Sequence, residues 1–376
     1  MEVKFFDPTR EYNNNKDKLD NAVSEVLKAG NFIMGNQVKE FEKSIADYTG
    51  AKYAIAVSSG SDALALATDV LEFNNNKEVI TSPFTFFSSA SCLYHSGAKP
   101  VFVDVDKDTF NMDMNLVEEK INKNTAGILP VHLFSQMTDM DKVNTLAGKY
   151  NLKVLEDAAE AFGMKWQGTN SDLKHSGTIG DMGIFSFFPT KTLGAYGDAG
   201  MIVTNNEELY DKAKSYRVHG ATKKYHHDYI GYNARMDTIQ AAILNIKLKN
   251  IDKAIEKRKI VAEWYYEQLI GIIQITLPSI KGNQLPVYYV FNIKAKKRDE
   301  LQAFLKKNGI QTTIYYPRPL HLQKCFDYLG YKPGDFPVSE NLCNEVLALP
   351  IYPEITENEV LYVCEKIKEF FRIQII

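Results

Sequence analysis

The chain has 376 residues, 45% of them hydrophobic and 24% charged, with a formal net charge of −3 at neutral pH. That length allows two domains and a large core. The charge, with no dense basic stripe, argues against nucleic acid or a polybasic membrane surface as partner. The four cysteines (Cys92, Cys325, Cys343, Cys364) form no CxxC pair, which points to reduced thiols rather than a disulfide framework or a zinc site. Met1–Asp20 is polar and lacks the apolar core of a signal peptide, and no apolar segment approaches a bilayer span, so the expected location is the cytoplasm.

Helical periodicity runs over residues 18–29 and 37–48. In the second, Val38, Phe41, Ile45 and Tyr48 share one face and Gly50 follows as a C-cap. From Tyr53 the pattern becomes strand and helix in alternation. YAIAV leads into SSGSDALALATDVL, and EVITS into FFSSASCLYHSG; PVFVDV, GILPVHLF and LKVLED follow, separated by helix-length segments. This predicts an α/β fold: a mostly parallel sheet with helices on both faces and ligands at the carboxyl ends of the strands. The loops after Val57, Ser82, His132, Glu156 and Phe188 are the ones expected to carry a site.

Beyond about residue 237 the character changes. Met236–Leu269 reads as one or two bridging helices and Pro278–Gln284 as a loop. VYYVFNIKA reads as a strand, KRDELQAFLKKNG as a helix closed by Gly309, and IQTTIYY as a second strand. The last helix opens on a Thr356/Glu359 capping box. The expected division is a large domain over 1–250, including the N-terminal helices, and a small α+β domain over 251–376.

The stretch Gly183–Gly200, GIFSFFPTKTLGAYGDAG, places Lys191 on a glycine-braced loop after an apolar strand that Pro189 ends. No charged residue stands beside it in sequence until Asp198, and a buried lysine loses its proton at modest cost. It is either a nucleophile or a lysine that snorkels from an ordinary turn. Ser58-Ser59-Gly60-Ser61-Asp62 opens a helix, where serines commonly cap but where backbone N–H groups also hold anions. VLEDAAEAFG ends a strand on Glu156 and Asp157 and adds Glu160. A buried Asp157 needs a positive partner, either a cofactor's ring nitrogen or an arginine in a structural ion pair. In SPFTFFSSAS one of Phe84, Phe86 and Phe87 is available to stack on a flat ring, and at least two are expected in the core. Asn233 and Arg235 precede the bridging helix. Tyr225, His226, His227, Arg318 and His321 lie in polar segments that suit a loop closing on a substrate better than a metal site, since no third ligand stands at metal-binding spacing. An amine, an acid for a ring nitrogen, a stacking ring and a phosphate cradle are together what pyridoxal 5′-phosphate requires.

Over nearly its whole length the chain resembles the DegT/DnrJ/StrS sugar aminotransferases, of the aspartate-aminotransferase fold. SFFPTKTLGAYGDAG is similar to that family's lysine loop, EDAAEAFG to its aspartate motif, and GYNARMDTIQAA to the segment that reaches the neighbouring subunit's cofactor. The resemblance implies Lys191 as the Schiff-base lysine and Asp157 as partner of the pyridinium nitrogen. It implies Phe86 as the stacking ring, Gly60, Ser61 and Ser186 as phosphate binders, and Glu160 near the 3-hydroxyl, where many members carry glutamine. Asn233 matches the residue that binds phosphate across a homodimer interface. The implied reaction moves an amino group from L-glutamate to a keto carbon of a nucleotide-linked sugar. FFPTKTLGAYGDAG and RVHGATKKYHH are similar to the 3-keto enzymes, the alternative being a 4-keto enzyme. A non-catalytic regulator is a further alternative, and members with histidine in place of the lysine are sugar dehydratases, a branch that Lys191 argues against.

Overall fold

A computed structural model describes residues 1–168, 172–280, 282 and 284–373. Lys281 and Asn283, within the Pro278–Gln284 segment read as a loop, lie outside the described residues. The centre is a seven-stranded sheet. From one edge its order is Tyr53–Val57, Gly200–Thr204, Met182–Ser186, Lys153–Asp157, Thr125–Ile128, Glu78–Thr81 and Lys99–Phe102. Gly200–Thr204 runs antiparallel to both neighbours and every other pair is parallel. The remaining strands therefore point the same way, and their carboxyl ends share one side.

The alternation of strand side chains sorts the core into two layers. Ala54, Ala56, Ile80, Ile128, Val154, Phe185 and Met201 meet Val38, Phe41 and Ile45 of helix Asn36–Thr49 and Val143 of helix Met140–Tyr150. Ile55, Val57, Val79, Leu155, Ile184 and Ile202 face the other way, onto Ala63, Leu64 and Ala67 of helix Gly60–Val70 and Leu93 of helix Ser88–His95. Each fully buried Val, Leu, Ile, Met or Phe among them contributes roughly 1.5–3 kcal/mol.

A third core lies around an antiparallel sheet of Ile275–Thr276, Phe291–Ala295 and Val346–Leu349. Helices Ile251–Leu269, Arg298–Lys307 and Glu357–Ile373 cover it. Val3 joins this core and forms a bridge with Ile310, and Arg10 clamps Glu359 through contacts of 2.8 and 2.6 Å. The Thr356/Glu359 capping box forms: the Thr356 N–H donates to Glu359 Oε2 at 2.8 Å and the Glu359 N–H to Thr356 Oγ1 at 3.3 Å.

Several elements differ from the sequence reading. The first helix spans Pro8–Ala29, because Asp7 caps it and Pro8 supplies its first turn. Met236–Leu269, read as one or two helices, holds two, Thr238–Leu248 and Ile251–Leu269, in agreement with that reading. The strand in VYYVFNIKA begins only at Phe291, since Tyr288 takes a φ of 48°, which breaks the extended run. IQTTIYY is not a strand; it contributes only the isolated bridges Val3–Ile310 and Thr313–Ala348, and Val346–Leu349 takes the place in the small sheet. Tyr225–His227 is part of a short hairpin pairing Ala221–Lys223 with His226–His227.

Candidate active site

The carboxyl ends of the strands open into a cavity of about 510 Å³. All five loops singled out from the alternation reach it: Ser59–Ser61, Thr85–Ser89, Val131 with Leu133, Asp157–Glu160, and Ser186–Lys191. Tyr289 and Ile314–Tyr316 also line it.

Lys191 stands on a loop that folds back on itself. The Lys191 N–H donates to the Phe188 carbonyl at 2.8 Å and the Ala195 N–H to the Phe187 carbonyl at 2.8 Å. A Cβ on Gly194 would come within 2.3 Å of the Pro189 carbonyl oxygen, so only glycine allows this return. The Lys191 side chain is 14% exposed, with Nζ 3.4 Å from Glu160 Oε1 and 4.4 Å from the centre of the Tyr289 ring. Sequence neighbours suggested an isolated lysine ready to lose its proton, and the tertiary structure corrects this. Burial is the largest influence and opposes the charge, but Tyr289, Glu160 and Asp157 outweigh it, leaving the ammonium favoured above the ordinary lysine value.

Asp157 ends its strand 3% exposed. It accepts the Ser89 hydroxyl at 2.7 Å and the Ala159 N–H at 3.1 Å. Among the described residues no cation lies within ion-pair distance, so the arginine partner considered from sequence is not there. Burial pushes its carboxyl above the ordinary carboxylate range, so the charged form is disfavoured there unless a positive group joins it. Glu156, one residue earlier, points to the opposite face and is consumed structurally. It accepts N–H groups of Gly177, Ile179 and Gly180 at 2.9, 2.6 and 2.6 Å, and the His132 Nε2–H at 2.9 Å. The Thr138 N–H donates to His132 Nδ1, which places the ring proton on Nε2.

At the start of helix Gly60–Val70 the two readings divide between serines. Ser59 caps, accepting the Asp62 N–H at 3.0 Å. Ser61 turns into the cavity, its hydroxyl 2.7 Å from that of Ser88. A Cβ on Gly60 would meet Ser186 Cβ at 2.7 Å, so the helix end sits directly against the strand that leads to Lys191. Ser186 also lines the cavity. This is an N–H-rich corner with hydroxyls, the chemistry of an anion site. Glu160 accepts the Phe134 N–H at 3.3 Å and the Tyr316 hydroxyl at 3.4 Å.

Of the three phenylalanines after Thr81, only Phe84 is core, at 1% exposed. Phe87 packs on Phe326 and remains half exposed; the expectation of two core rings fails because helix Ser88–His95 begins immediately after them and turns Phe87 outward. Phe86 lines the cavity at 57% exposed. Asn233 is exposed, accepts from Arg235, and is not among this chain's cavity-lining residues. Tyr225 and His226 are exposed on the hairpin, and Arg318 is exposed and donates to the Leu322 carbonyl. His321 is buried against Phe336 and lies 3.1 Å from Glu340. None of these four lines the cavity. Tyr289, Tyr315, Tyr316, Ser88 and Ser89 do, and sequence reasoning passed over them; the aromatic density of VYYV and IYY was the available signal.

Comparison with known proteins agrees with this architecture. The profile of the DegT/DnrJ/EryC1/StrS aminotransferase family matches residues 13–368. The chain is 44% identical to a Geobacillus stearothermophilus protein named pleiotropic regulatory protein, over 99% of both chains. It is 37% identical to the UDP-2-acetamido-2-deoxy-3-oxo-D-glucuronate aminotransferase of Pseudomonas aeruginosa, over 96% of this chain and 98% of that one. Among solved structures, S. venezuelae DesV in complex with a ketimine intermediate superposes with a TM-score of 0.94 at 34% identity, covering 98% of each chain. With the strand order, the cavity and these matches in agreement, the chain belongs to the DegT/DnrJ/EryC1/StrS aminotransferase family.

Proposed function

We propose that the protein is a pyridoxal 5′-phosphate-dependent aminotransferase that moves an amino group from L-glutamate to the C3 keto carbon of a nucleotide-linked sugar. The observation that carries this is the facing of Lys191 and the buried, cation-seeking Asp157 across one cavity that also holds the Gly60 helix end. The donor set fits the cofactor: N–H groups and hydroxyls at Gly60, Ser61 and Ser186 for a phosphate, Asp157 for a protonated ring nitrogen, and Phe86 for the ring face. When bound, the cofactor supplies a carbonyl carbon for amines and an electron-accepting ring. Asp157 would hold a ring nitrogen protonated. Lys191 Nζ, once free, would take up and return a proton at the substrate carbon. Glu160 orients the 3-hydroxyl and, with Tyr316, keeps a hydrogen-bonded wall beside the lysine.

Asn233 does not line its own cavity, and we assign it to the phosphate of a second copy in a homodimer with composite sites. Tyr225, His226 and Arg318 are assigned to the sugar nucleotide, with His321 bracing the turn that carries Arg318. The same reading divides the chain into a cofactor domain over 1–250 and a small domain over 251–376. The C3 position is supported by the Pseudomonas aeruginosa relative, whose name specifies a 3-oxo sugar. No helix among the described residues is long and apolar enough to cross a membrane.

A panel of 3-keto and 4-keto sugar nucleotides incubated with glutamate, with the aminated carbon read by NMR, tests the assignment. Amination at C4 alone overturns the C3 reading. The name of the Geobacillus stearothermophilus relative favours one second reading, a regulator that binds the cofactor without turnover. Glutamate addition separates the two: an enzyme converts its bound cofactor and loses the visible absorbance, and a regulator does not.

A further inference from the structure

Tyr289 belongs to none of the expected site elements, yet it lies beneath the lysine. Its ring is 7% exposed, and Lys191 Nζ stands over the ring at 4.4 Å. An ammonium at this distance on a tyrosine face, out of water, is attracted by the ring quadrupole. The ring is held from several directions. The Tyr289 N–H donates to Ser135 Oγ at 2.9 Å. Arg258, 2% exposed, donates to the carbonyls of Tyr288, Tyr289 and Ile351 at 3.3, 3.4 and 2.9 Å. The Tyr289 hydroxyl is 3.3 Å from Thr190 Oγ1, beside the lysine itself.

Ser135 adds an independent sign. It takes a φ of 64°, following Phe134 at 52°, in a turn where a residue with a side chain is strained. The Ser135 hydroxyl there accepts the Tyr289 N–H. The same turn gives the Phe134 N–H to Glu160, so one segment sets both the ring below Lys191 and the carboxylate beside it.

We infer that Tyr289 is a positioning residue for Lys191: its ring face, fixed by Ser135 and Arg258, is the resting place of the lysine's ammonium whenever Nζ is not attached to the cofactor. Docked there, Nζ stays charged and next to Glu160 instead of swinging across the cavity. The other titratable groups facing it are Asp157, Tyr315, Tyr316 and Asp198, all of which line the cavity. The inference rests on Lys191 as the cofactor lysine, but it is measured without cofactor, so the two fail separately.

The experiment is carbamylation of the cofactor-free full chain with cyanate across pH, with Lys191 modification read by peptide mass spectrometry. Only the neutral amine reacts, so the midpoint reports how strongly the ammonium is held. Tyr289→Leu removes the ring and lowers the Lys191 midpoint by about one pH unit, a tenfold change in the neutral fraction. Tyr289→Phe keeps the face but loses the hydroxyl that also favours the ammonium, so its midpoint drops by less than that of Tyr289→Leu. Ser135→Ala falls between them. Lys247, paired with Glu11 at 2.6 Å in a region apart from the cavity, is the internal control and does not move. If Tyr289→Leu does not fold, Tyr289→Met takes its place. An unchanged Lys191 midpoint overturns the inference, and so does an equal shift at Lys191 and Lys247, which would mean general loosening. Failure of the cofactor-lysine reading shows elsewhere, as a Lys191→Ala protein that still turns over.

Discussion

Replacing Gly60 with alanine tests whether the helix end and the lysine strand form one cradle. The new Cβ would stand 2.7 Å from Ser186 Cβ, 3.0 Å from its Oγ and 3.2 Å from its Cα. Carbon atoms in contact prefer about 3.5–4.0 Å, so roughly 1 Å must be found. Ser186 cannot retreat, since its strand is paired on both sides, with Lys153–Asp157 and with Gly200–Thr204. The helix end must move instead. Overpacking of this kind costs about 1–3 kcal/mol of stability. A shift of about 1 Å also takes the first N–H groups off an optimal phosphate distance, weakening charge-assisted hydrogen bonds worth about 1.5–3 kcal/mol each. The expected result is a lower melting temperature and a ten- to hundredfold weaker affinity for pyridoxal 5′-phosphate, roughly 1.4–2.7 kcal/mol. Absorbance titration and thermal unfolding measure both quantities. Gly148→Ala is the control: a Cβ there meets nothing within 4 Å, inside helix Met140–Tyr150, and helix propensity alone raises stability by about 0.5–1 kcal/mol. Wild-type cofactor affinity in Gly60→Ala would refute the cradle.

Lys191→Ala abolishes turnover and the visible absorbance that reports cofactor attached to the lysine; a variant with full activity would remove Lys191 from the chemistry. Asp157→Asn separates stability from activity. Burial raises the Asp157 carboxyl, so the cofactor-free folded chain binds that proton more tightly than the unfolded chain. Stability therefore falls as pH climbs from the ordinary carboxylate range, about pH 4, through the raised value. The amide removes this slope, so cofactor-free Asp157→Asn melts above the wild type at neutral pH, while turnover falls at least about a hundredfold. Identical melting profiles from pH 4 to 8 would contradict the assigned desolvation. Mixed dimers test the composite site: Lys191→Ala and Asn233→Ala chains, each inactive alone, recover roughly a quarter of wild-type activity when co-refolded, and no recovery would place Asn233 outside its neighbour's site.

The large sheet was legible because its strands are buried on both faces and read as apolar runs between helix-length segments. The loops that line the cavity followed from that alternation and the rule for carboxyl ends. Individual roles were harder. Glu156 and Asp157 are chemically similar neighbours, and only the strand's pleat sends one to a structural knot and the other to the cavity. Lys191 looked uncharged in its surroundings because Glu160 and Tyr289 reach it from distant parts of the chain. Tyr289 was hidden in a run whose β-branched and aromatic composition suits a strand, and the turn at Tyr288 is imposed by tertiary contacts with Arg258. His321 resembled a binding residue in sequence, and its burial against Phe336 follows from the turn over Pro83, where the Leu320 N–H donates at 2.7 Å.

The reversed strand Gly200–Thr204 has a mechanical consequence. It pairs Gly200 with Ser186, and the Phe187 N–H donates to the Ala199 carbonyl at 2.8 Å, so both ends of the lysine segment are stitched into the same ladder. Such a noose cannot open like a hinged lid without unzipping the central sheet. What remains free is the lysine's own four-carbon arm. In the proposed role of Lys191, the moving part is thus a single side chain on a fixed mount, and a proton would travel only as far as that arm can swing.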